Sequence, residues 1–155
     1  MIESKRLAYS ERKLSDAALD GLFGGLAAGV AMAIYLVLWG LTVALGPGAV
    51  LGMFDPGERD IALTGALTHL AVASVYGILF GLLWWALRRG LRRGVPAWLA
   101  GMAYGLLLLL AAKAVVLPAA GSPLAEIPMP HFALAHVIYG AALGFLSERL
   151  GARAL

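Results

Sequence analysis

Four ionisable side chains that could do chemistry lie within or at the edge of long apolar stretches: His69, Lys113, His131 and His136. Ionisable groups are costly inside a bilayer and usually face the interior of a helix bundle or a wet cavity. An imidazole in such a place can bind a metal ion, hold a haem iron, relay a proton or hydrogen-bond to another helix. These residues are the candidates for a ligand or cofactor pocket, and the sequence indicates no catalytic residue.

Helix phase favours a shared pocket for three of these side chains. Measured from the nearest glycine of a G-x-x-x-G pair, the offset is about 80° for His69 and Lys113 and about 40° for His136. All three therefore lean toward the glycine-bearing faces, where helices are expected to pack, and away from lipid. We expect them to converge in a polar pocket between splayed helix ends.

Simpler roles remain open for each candidate. Lys113 precedes Pro118 by five residues, about 7.5 Å along a helix, so it can either line the pocket or snorkel to the membrane surface. His131 follows Pro130 at the expected membrane edge, where a histidine is unremarkable. His69 and His136 lie deeper, and hydrogen bonding between helices is the simplest role for them.

Two cofactor interpretations follow from the histidines. A b-type haem could be held by His69 and His136 across a four-helix bundle. The two lie about 12 Å and about 6 Å from the glycine of their matching motifs, however, which is an awkward mismatch for opposite axial ligands. A zinc site is weaker still, because His131 and His136 are about 140° apart on a helix. Any bound metal stays unknown.

Composition excludes several classes of protein. Of the 155 residues, 61% are hydrophobic and 14% charged, and the mean hydropathy is +0.86. A soluble domain carries roughly 25% charged residues, so a soluble globule, a disordered chain and a nucleic-acid-binding domain are all excluded. The chain has no cysteine, which removes disulfides, iron–sulfur clusters and thiolate chemistry.

The elements that must position these side chains are membrane-spanning helices. Four continuously apolar stretches, at residues 21–45, 61–87, 97–117 and 131–147, approach or exceed the roughly 20 residues that cross a bilayer. All seven prolines fall in loops or at helix ends, which predicts four unkinked helices, the fourth being the shortest. The predicted fold is an all-α integral membrane four-helix bundle with up-down-up-down topology. Residues 1–20 form an N-terminal segment and residues 148–155 a tail.

Basic residues predict the orientation of the helices. One side of the membrane has ten: Lys5, Arg6, Arg12, Lys13, Arg88, Arg89, Arg92, Arg93, Arg149 and Arg153. The other side has only Arg59. Because cytoplasmic loops are enriched in lysine and arginine, both termini are expected in the cytoplasm of a bacterial inner membrane. The turn with Arg88, Arg89, Arg92 and Arg93 is also expected to contact anionic lipids, at about 1 kcal/mol per residue.

Each predicted helix carries one G-x-x-x-G pair: Gly25 and Gly29, Gly77 and Gly81, Gly101 and Gly105, and Gly140 and Gly144. Small residues four apart let helix backbones approach closely. All four pairs fall toward the cytoplasmic side, so the bundle is expected to be narrow there and looser outside, where Gly65 lies. The motif Y-G-x-x-x-G recurs at residues 76–81 and 139–144, which suggests duplication of a two-helix hairpin.

Four features of the sequence point to a known group of proteins: the run from Gly24 to Gly29, His69, the proline-bounded external loop and the run from His136 to Gly140. In these features the chain resembles uncharacterised four-helix bacterial inner-membrane proteins of unknown function. This resemblance implies a fold and no activity. The sequence therefore predicts a small, non-enzymatic membrane protein with an outward-facing polar pocket. It would act as a ligand-binding or accessory subunit, as a homo-oligomer or within a larger membrane complex. A haem b electron carrier and an oligomeric proton-coupled transporter are the alternatives.

Overall fold

The computed structural model describes residues 14–57, 59–90 and 95–153, and every regular element in these ranges is helical. In chain order they are α1 (Leu14–Thr42), α2 (Pro47–Gly52), α3 (Ala62–Gly90), α4 (Ala97–Ala111), a π-helical segment (Ala112–Val116), α5 (Leu117–Ala120), a 3-10 turn (Pro123–Glu126) and α6 (Met129–Arg153). Four helical stretches in these ranges are long and apolar enough to cross a membrane. The predicted all-α fold with four such helices is confirmed.

Two of the spanning helices are longer than their apolar runs. α1 already includes residues 14–20, and Ala17 is buried against α3. α6 has 25 residues and continues to Arg153 instead of ending near residue 147, because Gly151 still faces the interior beyond Glu148 and Arg149. Among the four candidate membrane spans the fourth is the shortest, as predicted, at 23 residues. Residues 1–13 of the predicted N-terminal segment and 154–155 of the tail lie outside the described residues.

The third span is not one continuous α-helix. α4 passes through the π-helical segment directly into α5, which contains Pro118. A proline inside a helix donates no hydrogen bond, and its ring clashes with the carbonyl four residues earlier, here that of Ala114. The wider turn of a π-helix relieves this clash. The span ends at Gly121, whose φ of 57° is the left-handed conformation typical of a helix C-terminus.

The spanning helices form two tight pairs, α1 with α3 and α4 with α6. Residues 17, 21 and 25 of α1 meet residues 81, 77 and 73 of α3, so the two helices run antiparallel. Residues 97, 101 and 105 of α4 meet residues 144, 140 and 136 of α6 in the same way. α1 also packs along α6, whereas α3 and α4 touch only slightly. The two pairs are therefore joined firmly on one side only.

Glycines allow the close approach within each pair. A Cβ atom on Gly25 would lie 2.6 Å from the carbonyl oxygen of Ala73, and one on Gly140 would collide with the carbonyl of Gly101. Gly77, Gly81, Gly101, Gly105 and Gly144 face a partner backbone in the same way, whereas Gly29 faces the Ala73 side chain. Gly21, which the sequence analysis did not single out, meets the carbonyl of Gly77. The three glycines at intervals of four in α1 were the signal for it.

The end of the bundle that carries α2, here called the α2 end, is packed more tightly than the glycine pattern predicted. α2 lies against α3, and Val50 on it is fully buried, with 0% of its surface exposed. A side chain at Gly65 would collide with the carbonyl of Leu51 in α2. The expectation that Gly65 is loosely packed is wrong, because α2 was not anticipated and supplies a backbone at that place.

Candidate functional site

His69 on α3 and His136 on α6 are buried in the half of the bundle nearer the α2 end, with 8% and 7% of their surfaces exposed. The ring of His69 packs against Phe54, which follows α2, with 4.4 Å between ring centres. The ring of His136 packs edge-on against Phe132, one turn earlier on α6, at 4.6 Å. Both imidazoles are thus enclosed by protein, and neither faces lipid. We call these two side chains the histidine layer.

Each imidazole of the histidine layer is held by a backbone carbonyl. Nε2 of His69 lies 2.9 Å from the carbonyl oxygen of Gly29 on α1. Nδ1 of His136 lies 2.8 Å from the carbonyl oxygen of Phe132. Since a carbonyl can only accept, these two nitrogens carry the protons and donate. The remaining nitrogens, Nδ1 of His69 and Nε2 of His136, are unprotonated imine nitrogens with a lone pair when the rings are neutral.

These two imine nitrogens have no hydrogen-bond donor among the residues that the structure describes. A histidine that binds a ligand or metal commonly donates its other N–H to a backbone carbonyl or carboxylate, which fixes the ring and its tautomer. His69 and His136 both show that arrangement. The layer therefore offers two oriented acceptors in an apolar interior.

Lys113 lies half-buried in the π-helical segment. Its Nζ donates to the carbonyl oxygen of Ala125 in the 3-10 turn at 3.1 Å. The same atom lies 4.9 Å from the centre of the Phe132 ring, a cation–π distance. His136 is within electrostatic range of both Lys113 and His69. Lys113 therefore links the 3-10 turn to the side of α6 that carries Phe132.

His131 contacts α1 through two aromatic residues that the sequence analysis did not single out. Its Nδ1 lies 2.9 Å from the hydroxyl of Tyr35, and its ring centre lies 5.4 Å from that of Trp39. His131 is therefore half-buried between α6 and α1, and it is more than an unremarkable residue at the membrane edge. Tyr35 and Trp39 are four apart on one face of α1, and that spacing was the signal available in the sequence.

Two tyrosines bound the histidine layer on the side away from α2. Tyr139, three residues after His136, donates its hydroxyl hydrogen to the carbonyl of Ala73 on α3 at 2.7 Å. Tyr104 on α4 donates to the carbonyl of Tyr76 on α3 at 2.9 Å. These two hydrogen bonds between helices were not predicted from the sequence. Neither could be read from spacing, because both depend on which carbonyl faces the hydroxyl across the bundle.

A family model described as "Family of unknown function (DUF6789)" matches residues 15–154. The chain belongs to the DUF6789 family. The match covers all four spanning helices and the histidine layer, and it confirms the predicted resemblance to uncharacterised proteins. Comparisons with curated proteins and with solved structures gave no match.

Metal ligation in this DUF6789 protein has little support from the geometry. In residues 14–57, 59–90 and 95–153, no three histidine, aspartate or glutamate side chains come together as a metal-binding group. Structural zinc sites use four ligands and catalytic ones three. The histidine layer supplies two, so its acceptors suit a hydrogen-bonding ligand better than a metal ion bound by protein alone.

The end of the bundle opposite the α2 end carries an ion pair between α3 and α6. A guanidinium nitrogen of Arg88 lies 3.3 Å from a carboxylate oxygen of Glu148 on α6. The guanidinium also lies 5.2 Å from the centre of the Trp84 ring. Arg92, Arg93 and the side chain of Arg89 lie outside the described residues, so the expected contact of this turn with anionic lipids stays a prediction.

Proposed function

We propose that this DUF6789 protein is a non-enzymatic, multi-pass protein of a bacterial inner membrane that binds a small hydrogen-bond-donating ligand at the histidine layer. One observation carries the proposal: His69 and His136 are buried, each is oriented by a backbone carbonyl, and each keeps an imine nitrogen with no donor among the residues that the structure describes. A ligand that donates to both nitrogens gains one hydrogen bond at each, worth about 0.5–1.5 kcal/mol.

The orientation is part of the proposal. Ten basic residues against one support cytoplasmic termini and an outward-facing α2 end. The antiparallel pairs support an up-down-up-down arrangement. Reporter fusions at residue 155 and within residues 121–128 test it: a cytoplasmic reporter should be active at residue 155, and a periplasmic one in the loop. The reverse pattern would invert the protein and turn the histidine layer toward the cytoplasm.

The two helix pairs also support a duplicated hairpin. Gly77 and Gly81 meet α1 as Gly140 and Gly144 meet α4. In this comparison the counterparts of Gly101 and Gly105 are Gly21 and Gly25. In α1 the glycines that correspond to Gly101 and Gly105 therefore begin one helical turn before the G-x-x-x-G pair of Gly25 and Gly29.

The ligand itself can be detected at the imine nitrogens. In protein labelled with ¹⁵N-histidine and purified in lipid nanodiscs, the imine signals of His69 and His136 should show a bound hydrogen-bond donor. Native mass spectrometry should show a matching added mass that is lost in His69→Phe and His136→Phe. His131, whose Nδ1 already adjoins Tyr35, is the internal control. Imine nitrogens that are bare, or that contact only exchangeable water, would overturn the proposal.

A b-type haem is the second candidate, because an imine nitrogen on each of two buried histidines is what axial ligation requires. Tyr139 weighs against it, since its hydroxyl crosses from α6 to α3 beside the histidine layer. Protein expressed with a haem precursor should lack a Soret absorption band under our first proposal. A Soret band that disappears in both His69→Ala and His136→Ala would favour the electron carrier.

A further inference from the structure

α3 and α4 leave one side of the bundle loosely closed. They touch least among the neighbouring spanning helices. Tyr104 links them through its bond to the Tyr76 carbonyl and through its ring, 5.3 Å from that of Phe80. The next polar link of α4 toward the α2 end is Lys113, which binds Ala125 and not α3. About 13 Å of helix separates Tyr104 from Lys113, and along it no hydrogen bond or ring contact joins α3 to α4 among the described residues. We call this stretch the gap.

The histidine layer borders this gap. His69 bonds to Gly29 of α1 and precedes Tyr76, whose backbone carbonyl accepts from Tyr104 of α4, by seven residues, about two turns of α3. On α6, the backbone carbonyl of His136 meets Gly105 of α4. His136 is also within electrostatic range of Lys113. Both histidines therefore lie within about two helical turns of a contact with α4.

Small and apolar side chains line the edges of the gap. Ala111 follows Tyr104 by seven residues and lies within about 20° of the same face of α4. Tyr104 is half-buried, yet Ala111 is exposed, so α3 does not cover α4 at this height. Nearby, Leu107 on α4 is 63% exposed and Val72 on α3 is 47% exposed. An alkyl chain in the bilayer could lie against these edges without burying a charge.

From these observations we infer that the ligand enters from the lipid, between α3 and α4, and is an amphipathic, membrane-dissolved molecule whose headgroup donates hydrogen bonds. This inference rests on the proposed function of the histidine layer. The apolar edges of the gap accommodate the tail, and the two imine nitrogens accept the headgroup donors. An alkyl-substituted hydroquinone is the simplest molecule with two O–H donors on one ring, and it serves as the probe.

The probe experiment compares decylhydroquinone, kept reduced, with its dimethyl ether, which has the same tail and ring and no donor. Both are titrated into ¹⁵N-histidine-labelled protein in nanodiscs. The hydroquinone should shift the imine signals of His69 and His136. The ether should bind about 5- to 150-fold more weakly, because it loses two hydrogen bonds, each worth about 0.5–1.5 kcal/mol.

Variants at the gap test the route. Ala111→Trp places an indole between α3 and α4 and should slow association of decylhydroquinone at least tenfold. Leu110→Trp, one residue away on the exposed face of α4, is the matched control and should leave association unchanged. If Ala111→Trp does not fold, Ala111→Cys labelled with a bulky maleimide after folding blocks the same place, since the chain has no other cysteine.

Several outcomes would overturn the inference. Equal binding of the hydroquinone and the ether, or no binding of either, rejects the ligand class. Binding that is indifferent to both changes at Ala111 rejects the lipid route. A disulfide between two copies of Ala111→Cys would show that a second copy covers the gap. An occupant seen by native mass spectrometry without any probe binding would reject the inference alone, whereas unoccupied imine nitrogens would reject the proposed function as well.

Discussion

Tyr139 on α6 and Ala73 on α3 are joined by a 2.7 Å hydrogen bond from the tyrosine hydroxyl to the alanine carbonyl. The same alanine adjoins α1, because its carbonyl faces Gly25 and its Cβ faces Gly29. Three helices therefore meet at one residue. A carbonyl oxygen has two lone pairs, so Ala73 can accept from Tyr139 and keep its own helical hydrogen bond.

Removing this hydroxyl should destabilise the bundle. Tyr139→Phe leaves the ring in place and deletes a buried hydrogen bond, so we expect a loss of about 0.5–1.5 kcal/mol in the free energy of unfolding. Tyr76→Phe is the control: Tyr76 occupies the same position in the other Y-G-x-x-x-G motif, and its hydroxyl has no hydrogen-bond partner among the described residues. Thermal unfolding in detergent measures both, and equal melting temperatures would show that the link contributes nothing.

The glycine contacts predict a contrast between two substitutions. Gly140→Ala adds a Cβ that collides with the carbonyl of Gly101, whereas Gly48→Ala on α2 adds one that lies 3.9 Å from the nearest atom, Ala62 Cβ. We expect Gly140→Ala to cost roughly 1–3 kcal/mol, the usual penalty for overpacking. Gly48→Ala should be neutral or slightly stabilising, because alanine favours helix. Denaturant unfolding that ranks the two variants in the opposite order would contradict the close packing of α4 on α6.

Sequence patterns predicted the spans and the inward-facing histidines because both depend on local regularities. Long apolar runs define helices, and helix phase relates His69 and His136 to the glycine faces. α2 is six residues long, too short to show a period, so the burial of Gly65 could not be foreseen. The hydrogen bond between His69 and the carbonyl of Gly29 could not be predicted either, since it depends on how closely α1 approaches α3.

The π-helical segment of the third span is another feature that could not be predicted from local sequence. Pro118 was recognised as a helix-ending residue, but the helix continues past it through Ala112–Val116 to Ala120. Its path depends on tertiary contacts, among them the burial of Leu117 and the bond from Lys113 to the 3-10 turn. A proline shows where the α-helical hydrogen-bond pattern is interrupted. Whether the helix then ends or continues depends on tertiary packing.

Lys113 should hold the 3-10 turn in place. Lys113→Met removes the ammonium that binds the Ala125 carbonyl and should raise amide hydrogen exchange across residues 122–127 several-fold, because local opening becomes easier. Lys113→Arg keeps the charge and a donor and should remain near the wild-type rate. Exchange is read by mass spectrometry in nanodiscs. Unchanged exchange in the methionine variant would mean that the turn is held by its own backbone and by Ser122, whose side chain accepts from Leu124.

The contact between Tyr35 and His131 should couple α1 to α6. A double-mutant cycle with Tyr35→Phe and His131→Phe is expected to show a coupling free energy of about 0.5–1.5 kcal/mol, since the two side chains lie within hydrogen-bond distance. The control cycle pairs Tyr35→Phe with His136→Phe, because His136 binds within its own helix. Coupling of equal size in both cycles would point to a general loosening of the bundle and not to this contact.

The two tight helix pairs also bear on how the protein is made. Each pair is contiguous in the chain, and the glycine contacts within a pair require no residue of the other pair. As domains fold from the N-terminus during synthesis, α1 and α3 can close into a hairpin in the bilayer while α4 and α6 are still being translated. A gene divided between α3 and α4 should accordingly yield two fragments that each insert as a hairpin and recombine along the interface of α1 with α6.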